Sequence, residues 1–534
     1  MMIRKAFDPG KMSQLDSIAI KDFKIPGIVL MENAALKTFL AIKEKFLPAS
    51  DASFLVFCGK GNNGADGLAI ARHLHVRGYN VKCFIFCAAA ELSKEGKTHY
   101  SIANELGIKI FAITSKREIS KIKRCLNQPG DPPLLIDAIF GTGFRSTTRG
   151  IYKQVIDVMN SVNSPIISVD IPSGINGWTG RASGSHIKAD LTVTFQYPKQ
   201  GLFFHEALDA CGEIRVENIT IPPSIPAVPH SFLILNTKEI KARLPTRVEN
   251  SYKGSYGKLG IWAGSISYPG AARLTGHPGF AVGAGMIYLF SESSEYLHNL
   301  NSEIIPRIWN FNEPGKTLKE FLALDALVIG PGVDFSTPGS DILFEKIIEA
   351  YSGPILLDAS ALRLIAERNL WQKKNPDSQW ILTPHPGEFF SLFSYNVETL
   401  LQDNLSRVTD FCQKNRCHLI LKLPRSLIFT DGERYLIPFG SQALARAGSG
   451  DLLSGLVGGL LVQQPKFPGH ALIAGAFLHA LSGKVIEELG CFPSDIVEFL
   501  PQLTKKIKNT EAWNVRDLGD VGDLIDILKV AYSS

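Results

Sequence analysis

"CGKGNNGADGLAI", residues 58–70, follows the apolar run FLVF at 54–57 and leads into a helical pattern. Gly59, Gly61 and Gly64 fit G-x-G-x-x-G, the turn by which a parallel strand passes into a helix beside a dinucleotide. The flanking chain extends that reading. From residue 53 to about 220, apolar runs at 54–57, 81–87, 134–139, 166–170 and 191–195 alternate with helical patterns at 68–77 and 152–160 and a polar helix after 87. That alternation predicts an α/β fold, a doubly wound parallel sheet with helices on both faces. A second series follows, with apolar runs at 259–263, 286–290, 326–329, 355–358, 380–383 and 419–422, then a glycine-rich apolar helix from 451. Between the series, "ITIPPSIPAVPHS" (219–231) packs in four prolines and reads as a linker.

The 534 residues are too many for one core. A composition of 45% hydrophobic and 20% charged residues is that of a globular protein, and a formal charge of +5 is too weak to imply nucleic acid. The eight cysteines show no C-x-x-C pair; they read as reduced thiols, which places the chain in the cytoplasm. Cys83 and Cys87 sit in an apolar run and read as core, not metal ligands. The N-terminus carries no apolar signal segment, and apolar stretches such as 452–462 fall short of a membrane span. The helix "ALIAGAFLHAL" (471–481) has more apolar surface than one face needs, which suggests a homo-oligomer.

A hydride-carrier site requires an acidic residue about twenty positions past the glycines, to hold a ribose hydroxyl. Here "VKCFIFCAAA" (81–90) offers none before Glu91, so that reading fails. The loop instead carries Asn62, Asn63 and Asp66, side chains able to bind ribose, phosphate or a hard cation. The bland alternative is a plain strand-to-helix turn. Two further stretches count against it: "IDAIFGTGFRSTTRG" (136–150) and "SVDIPSGINGWTG" (168–180) each close an apolar strand with an aspartate, Asp137 or Asp170, and follow it with a glycine turn. That edge of an open α/β sheet is where ligands sit, although either aspartate alone could simply cap a helix.

With "LDSIAIKDFKIPGIVLMENAA" (15–35) and "ADLTVTFQYPKQGLFF" (189–204), these loops closely resemble the NAD(P)H-hydrate epimerase family over roughly residues 10–222. The resemblance implies a Rossmann-like fold that interconverts the C6 epimers of hydrated NADH and NADPH (NADHX and NADPHX), with a potassium ion in the site. By position, Asn62, Asn63, Gly64, Ala65 and Asp66, together with Gly141, Thr142, Gly143, Phe144, Arg145, Ser146 and Thr147, hold the hydrate. Asn63, Asp137 and Ser173 ligate the ion, and Asp170 is the acid/base candidate. The family reads N-N-G-G-D where this chain has Ala65; a positive φ there would penalise alanine by about 1 kcal/mol.

In the second half, "LARAGSGDLLSGLVGGLL" (444–461) sets Gly448, Gly450 and Asp451 at the mouth of an apolar helix, whose unpaired N–H groups suit an anion. Asp451 could equally be a cap. "LTPHPGEF" (382–389) presents His385 between prolines, and "VIGPGVD" (328–334) ends a strand in a turn where backbone can approach a ligand. With "YKGSYGKLGIWAGS" (252–265) and "PILLDASAL" (354–362), these resemble the ADP/ATP-dependent NAD(P)H-hydrate dehydratase family over about residues 235–505. That resemblance implies a ribokinase-like α/β domain in which Ala271, Gly332 and His385 contact the hydrate. Lys422, Leu423, Pro424, Arg425, Ser426 and Gly450 would contact ADP or ATP with Mg²⁺, and Asp451 the reacting hydroxyl. Leu423-Pro424 replaces the family's glycine turn, which removes a backbone donor that Arg425 could offset by charge. Gly276, Pro278 and Gly279 should break or kink the helix after Ala271.

The expected organisation is therefore an epimerase domain (1–222), a linker (223–234), a dehydratase domain (235–505) and a polar tail (506–534). Its rivals are a small-molecule kinase, in which the second half phosphorylates a vitamin or sugar alcohol and stops, and a non-catalytic N-terminal binding module.

Overall fold

The computed structural model describes residues 5–223, 225, 228–292, 303–309, 313–489 and 492–509. Two compact units divide between Leu233 and Ile234.

The first unit is built on seven parallel strands: β1 (Ser53–Cys58), β2 (Asn80–Ile85), β3 (Lys109–Ala112), β4 (Leu134–Ala138), β5 (Ile166–Val169), β6 (Leu191–Phe195) and β7 (Glu213–Glu217). Their order is β3-β2-β1-β4-β5-β6-β7, so the direction of winding reverses between β1 and β4. Consecutive side chains of β1 enter opposite cores. Phe54, Val56 and Cys58 pack with α2 (Gly27–Phe46) and α3 (Asn62–His75), while Leu55 and Phe57 pack with Val155, Ile156 and Met159 of α4 (Gly150–Asn160). Burial on both faces is why these strands read as continuous apolar runs. Ahead of α2, α1 (Pro9–Lys21) starts on Asp8, whose carboxylate accepts from the Lys11 N–H at 2.9 Å, and turns Met12 and Leu15 inward.

The second unit carries β8 (Lys258–Trp262), β9 (Met286–Ser291), β10 (Ile305–Ile308), β11 (Ala326–Ile329), β12 (Ile355–Leu357), β13 (Trp380–Leu382), β14 (Cys417–Leu421), β15 (Leu427–Thr430) and β16 (Glu433–Leu436). The order β16-β15-β14-β13-β12-β11-β8-β9-β10 is parallel except at β14/β15 and β15/β16. The helices that matter for the site are α5 (Pro269–Ala281), α6 (Pro386–Phe393), α7 (Ser449–Gln463) and α8 (Pro468–Leu489). A Cβ on Gly455 would lie 2.1 Å from the Thr275 carbonyl oxygen, and one on Gly459 2.4 Å from that of Gly279. The glycines of α7 thus let it approach α5 backbone to backbone.

Several expectations are corrected. The helix through Gly276, Pro278 and Gly279 is unbroken to Ala281; Pro278 lies inside its last turn, where it forfeits the one hydrogen bond its N–H would have made to the Leu274 carbonyl. The proline-rich stretch is packed, with Ile219 and Ile221 in the first unit's core and Val228 against Phe7 and Met12; its end, Phe232–Ile234, is a strand. The helix Ile496–Asn509 runs past residue 505 and buries Leu503 and Ile507, so the tail is not all surface; residues 510–534 lie outside the described residues. One helix, Pro468–Glu487, is long and apolar enough to span a membrane, contrary to the sequence reading, but 83% of it is buried inside the protein. That burial also removes the argument for a homo-oligomer, because residues such as Leu472, Phe477 and Leu481 are covered by their own chain.

Candidate active sites

At the C-terminal ends of β1, β4 and β5, where the winding reverses, a cleft of about 720 Å³ opens. The turn after β1 is tight. A Cβ on Gly59 would sit 1.9 Å from the Ile139 carbonyl oxygen and one on Gly64 1.8 Å from that of Gly59, whereas Gly61 faces open space. Two of the three glycines therefore serve strand–helix packing, and the third leaves room at the ligand side. Asn62, Asn63 and Asp66 line the cleft, as do Gly141, Thr142, Gly143, Phe144, Arg145 and Ser146. Thr147 turns away to bond Ser183 at 2.9 Å. Gly64 and Ala65 are buried in the first turn of α3, and Ala65 is not among the residues with positive φ, so the expected alanine penalty is absent.

Beneath the cleft, Asp137 is fully buried and accepts from the Ser168 hydroxyl and the Ser173 N–H, each at 2.8 Å. Burial pushes its carboxyl above the usual range, and these hydrogen bonds oppose the shift. Asn63 donates its amide to the Val169 carbonyl at 2.7 Å, while its buried Oδ1 has no hydrogen-bond partner among the described residues. An orphaned buried acceptor beside serine and carboxylate oxygens suits a hard monovalent cation.

Asp170 follows β5 in a left-handed conformation, φ 71°, which turns its side chain into the cleft. Its Oδ1 accepts from the Thr194 hydroxyl at 3.1 Å and from the ammonium of Lys199, which is 3% exposed. Asp16, from the helix Pro9–Lys21, lines the same cleft. Burial pushes its carboxyl up to about 6, with Lys199 opposing and Asp170 reinforcing the shift. Burial likewise pushes Asp66 well above the usual range, helped by Asp170 and Asp16. Sequence reasoning missed Lys199 and Asp16. Lys199 had a signal in the Y-P-K turn that ends an apolar strand, but Asp16 had none beyond a polar position in an amphipathic helix.

In the second unit, Asp451 occupies the first turn of α7, capped by Gly448 in a left-handed conformation, φ 87°. Burial, with the nearby Asp358 carboxylate, pushes Asp451 up to about 7 against the pull of Lys422. Asp358, closing β12, is 1% exposed; it accepts from Lys422 at 2.8 Å and from the Ser454 hydroxyl at 2.7 Å. A Cβ on Gly450 would lie 3.5 Å from the Lys422 ammonium. Gly450, Asp451, Lys422 and Asp358 thus form one cluster. His479 of α8, partly buried and held down to about 4 by desolvation, bonds the Ser449 carbonyl at 2.9 Å and so braces this turn.

Ala271 and Gly332 meet: a Cβ on Gly332 would lie 2.6 Å from that of Ala271. His385 caps α6, its Nδ1 accepting from the Gly387 N–H at 3.0 Å, while its Nε2 lies on an exposed face 3.4 Å from the Glu388 carboxylate. Leu423, Pro424, Arg425 and Ser426 follow β14, where Ser426 donates to the Leu423 carbonyl at 3.2 Å. Asp358, Ser454 and His479 were missed. An aspartate ending an apolar strand is the signal that found Asp137 and Asp170, and it fits Asp358 as well.

The family described as YjeF-related protein N-terminus matches residues 27–201, and that described as NAD(P)H-hydrate dehydratase matches residues 259–501. A bifunctional NAD(P)H-hydrate repair enzyme of Moorella thermoacetica is 32% identical over 93% of this chain and 96% of its own length. One from Escherichia coli is 30% identical over 84% and 86%. Among solved structures, the ADP/ATP-dependent NAD(P)H-hydrate dehydratase of Bacillus subtilis, co-crystallised with ATP and Mg²⁺, is 26% identical, with TM-score 0.43, over 51% of this chain and 97% of that one.

Proposed function

The chain belongs to the family of bifunctional NAD(P)H-hydrate repair enzymes, and from that membership we propose how the two sites divide the work. The cleft of the first unit interconverts the R and S forms of NADHX and NADPHX. The Asp451 cluster of the second dehydrates the S form to NADH or NADPH at the expense of ADP or ATP. The domains follow as an epimerase to about residue 222, a short packed connection, and a dehydratase from about 235.

The observation that carries the epimerase reading is the convergence of three strand-end loops on one cleft that holds Asp170 and Lys199. The Lys199 ammonium and the Thr194 hydroxyl donate to the Asp170 carboxylate and so fix its direction, placing it to take a proton when the C6 hydroxyl is exchanged. Asn63, Asp137 and Ser173 are the oxygen donors that would hold K⁺, an ion that would supply fixed positive charge beside the substrate. Residues 141–146 wall the cleft, with Phe140 and Phe144 stacked at 4.6 Å.

In the second unit, Asp451 takes the proton of the C6 hydroxyl, whose oxygen then attacks the terminal phosphoryl group. Phosphate leaves C6 as the ring-nitrogen lone pair forms a C6=N1 bond; a proton then leaves C5, its bonding pair becomes the C5=C6 bond, and the C6=N1 pair returns to nitrogen to restore the dihydronicotinamide. Hydroxide is a poor leaving group, and phosphorylation corrects that. Gly450 and the neighbouring N–H groups of α7 receive phosphate, and Lys422 supplies charge beside it. Mg²⁺ bound with the nucleotide would neutralise charge on the transferring group. Ala271, Gly332 and His385 border the hydrate. Reduced, mostly buried cysteines support a cytoplasmic location.

Absorbance at 340 nm tests the whole scheme on a mixture of R and S NADHX with Mg²⁺ and either ADP or ATP. Recovery of the full pool, faster than spontaneous inversion, is expected. Recovery of the S half alone would remove the epimerase; no recovery would remove the dehydratase.

A further inference from the structure

The reaction assigned to the first cleft needs two proton movements, and Asp170 accounts for one. Exchanging the hydroxyl at C6 requires a proton on the departing oxygen and the removal of one from the water that replaces it. A single carboxyl whose neighbour is a buried lysine suits removal better than donation. The cleft holds a further carboxyl in a contrasting setting. Asp16 reaches it from the helix Pro9–Lys21, an element remote in sequence from the strand-end loops. Among the described residues no side chain or backbone group is hydrogen-bonded to its carboxyl, whereas Asp170 is held by Lys199 and Thr194.

We propose that Asp16 is the second catalytic carboxyl of the epimerase, giving a proton to the departing C6 oxygen while Asp170 takes one from the incoming water. The inference rests on the reading of this cleft as the epimerase site. In the step, the C6–O bond breaks and its electron pair goes to oxygen, which leaves as water with the Asp16 proton. The N1 lone pair forms the C6=N1 bond. Water then adds to the opposite face, the C6=N1 pair returns to N1, and the surplus proton goes to Asp170. The two carboxyls have exchanged protonation state; turnover in the reverse direction, or solvent, restores it.

The environments agree with these roles. Asp16 faces Lys199 and Asp170 from the sheet edge and Asp66 from α3, with Lys60, Glu95 and Arg145 also lining the cleft. Burial there pushes Asp16 up to about 6, so it keeps its proton at a pH where an ordinary carboxyl has lost it. Because Asp16 acts protonated, the free-enzyme rate of inversion falls on the alkaline side.

The test uses the full chain and follows R-to-S inversion of NADHX chromatographically from pH 5.5 to 9, corrected for spontaneous inversion. Asp16→Asn should lower kcat by about 100-fold with KM nearly unchanged and abolish the alkaline limb of kcat/KM, while Asp16→Glu restores part of the rate. Inversion at the wild-type rate, or a slower rate with the limb intact, overturns the proposal. Should Asp16→Asn not fold, Asp16→Glu decides: an alkaline limb unmoved from wild type overturns it. Asp170→Asn separates the two failures. If it too inverts normally, the cleft is not the epimerase; if it is inactive while Asp16→Asn is not, only the role of Asp16 falls.

Discussion

Asp451 shows what a single half-buried carboxyl can decide. Its pKa, raised to about 7 by burial and by Asp358, means that the base form grows as pH rises through neutrality. The rate of S-NADHX dehydration should therefore climb between pH 6 and 8 and level off above. Asp451→Asn should remove that climb and lower kcat by about 10²- to 10⁴-fold, leaving inversion intact. A flat wild-type profile would show that another group is the base. Asp451, Asp170 and Asp137 were legible because each sits where an apolar run meets a glycine turn. Lys199 and Asp16 were not, since their meaning comes only from the fold that sets them in the cleft of Asp170. His479 in its apolar helix is indistinguishable, as sequence, from any core histidine.

At the scale of elements, the α5–α7 contact makes a sharper demand than any propensity. Gly455→Ala would drive a methyl to within 2.1 Å of the Thr275 carbonyl oxygen, so a loss of about 1–3 kcal/mol is expected. Gly270→Ala, in the same helix pair but facing open space, should instead gain about 0.4–1 kcal/mol. Thermal unfolding of the two variants checks both signs. Of the break or kink read from Gly276, Pro278 and Gly279, the break does not occur: those glycines record close packing, and local propensity cannot distinguish that from a break. Besides the short strand Phe232–Ile234, the strands absent from the sequence reading include β3, β7, β10, β15 and β16. Of these, β3, β7 and β10 lie toward sheet edges and carry half-exposed, mixed faces in place of continuous apolar runs.

For the whole molecule, two successive strand–helix series were enough to read two α/β units, because parallel strands buried on both faces leave a strong apolar signal. The connection between the series was misread, since alternating isoleucines among prolines pack well against a core yet look like a linker in composition. The cysteines described earlier have a practical use. Cys58 and Cys83 lie sealed in the first unit, Cys412 and Cys417 in the second, and burial pushes the Cys83 thiol up to about 12. Each unit thus carries its own internal reporter, silent toward alkylating reagents until that unit opens. Mass-resolved alkylation in rising urea should mark half-exposed Cys125 first and then date the opening of each half separately, turning a set of inert core residues into a pair of clocks.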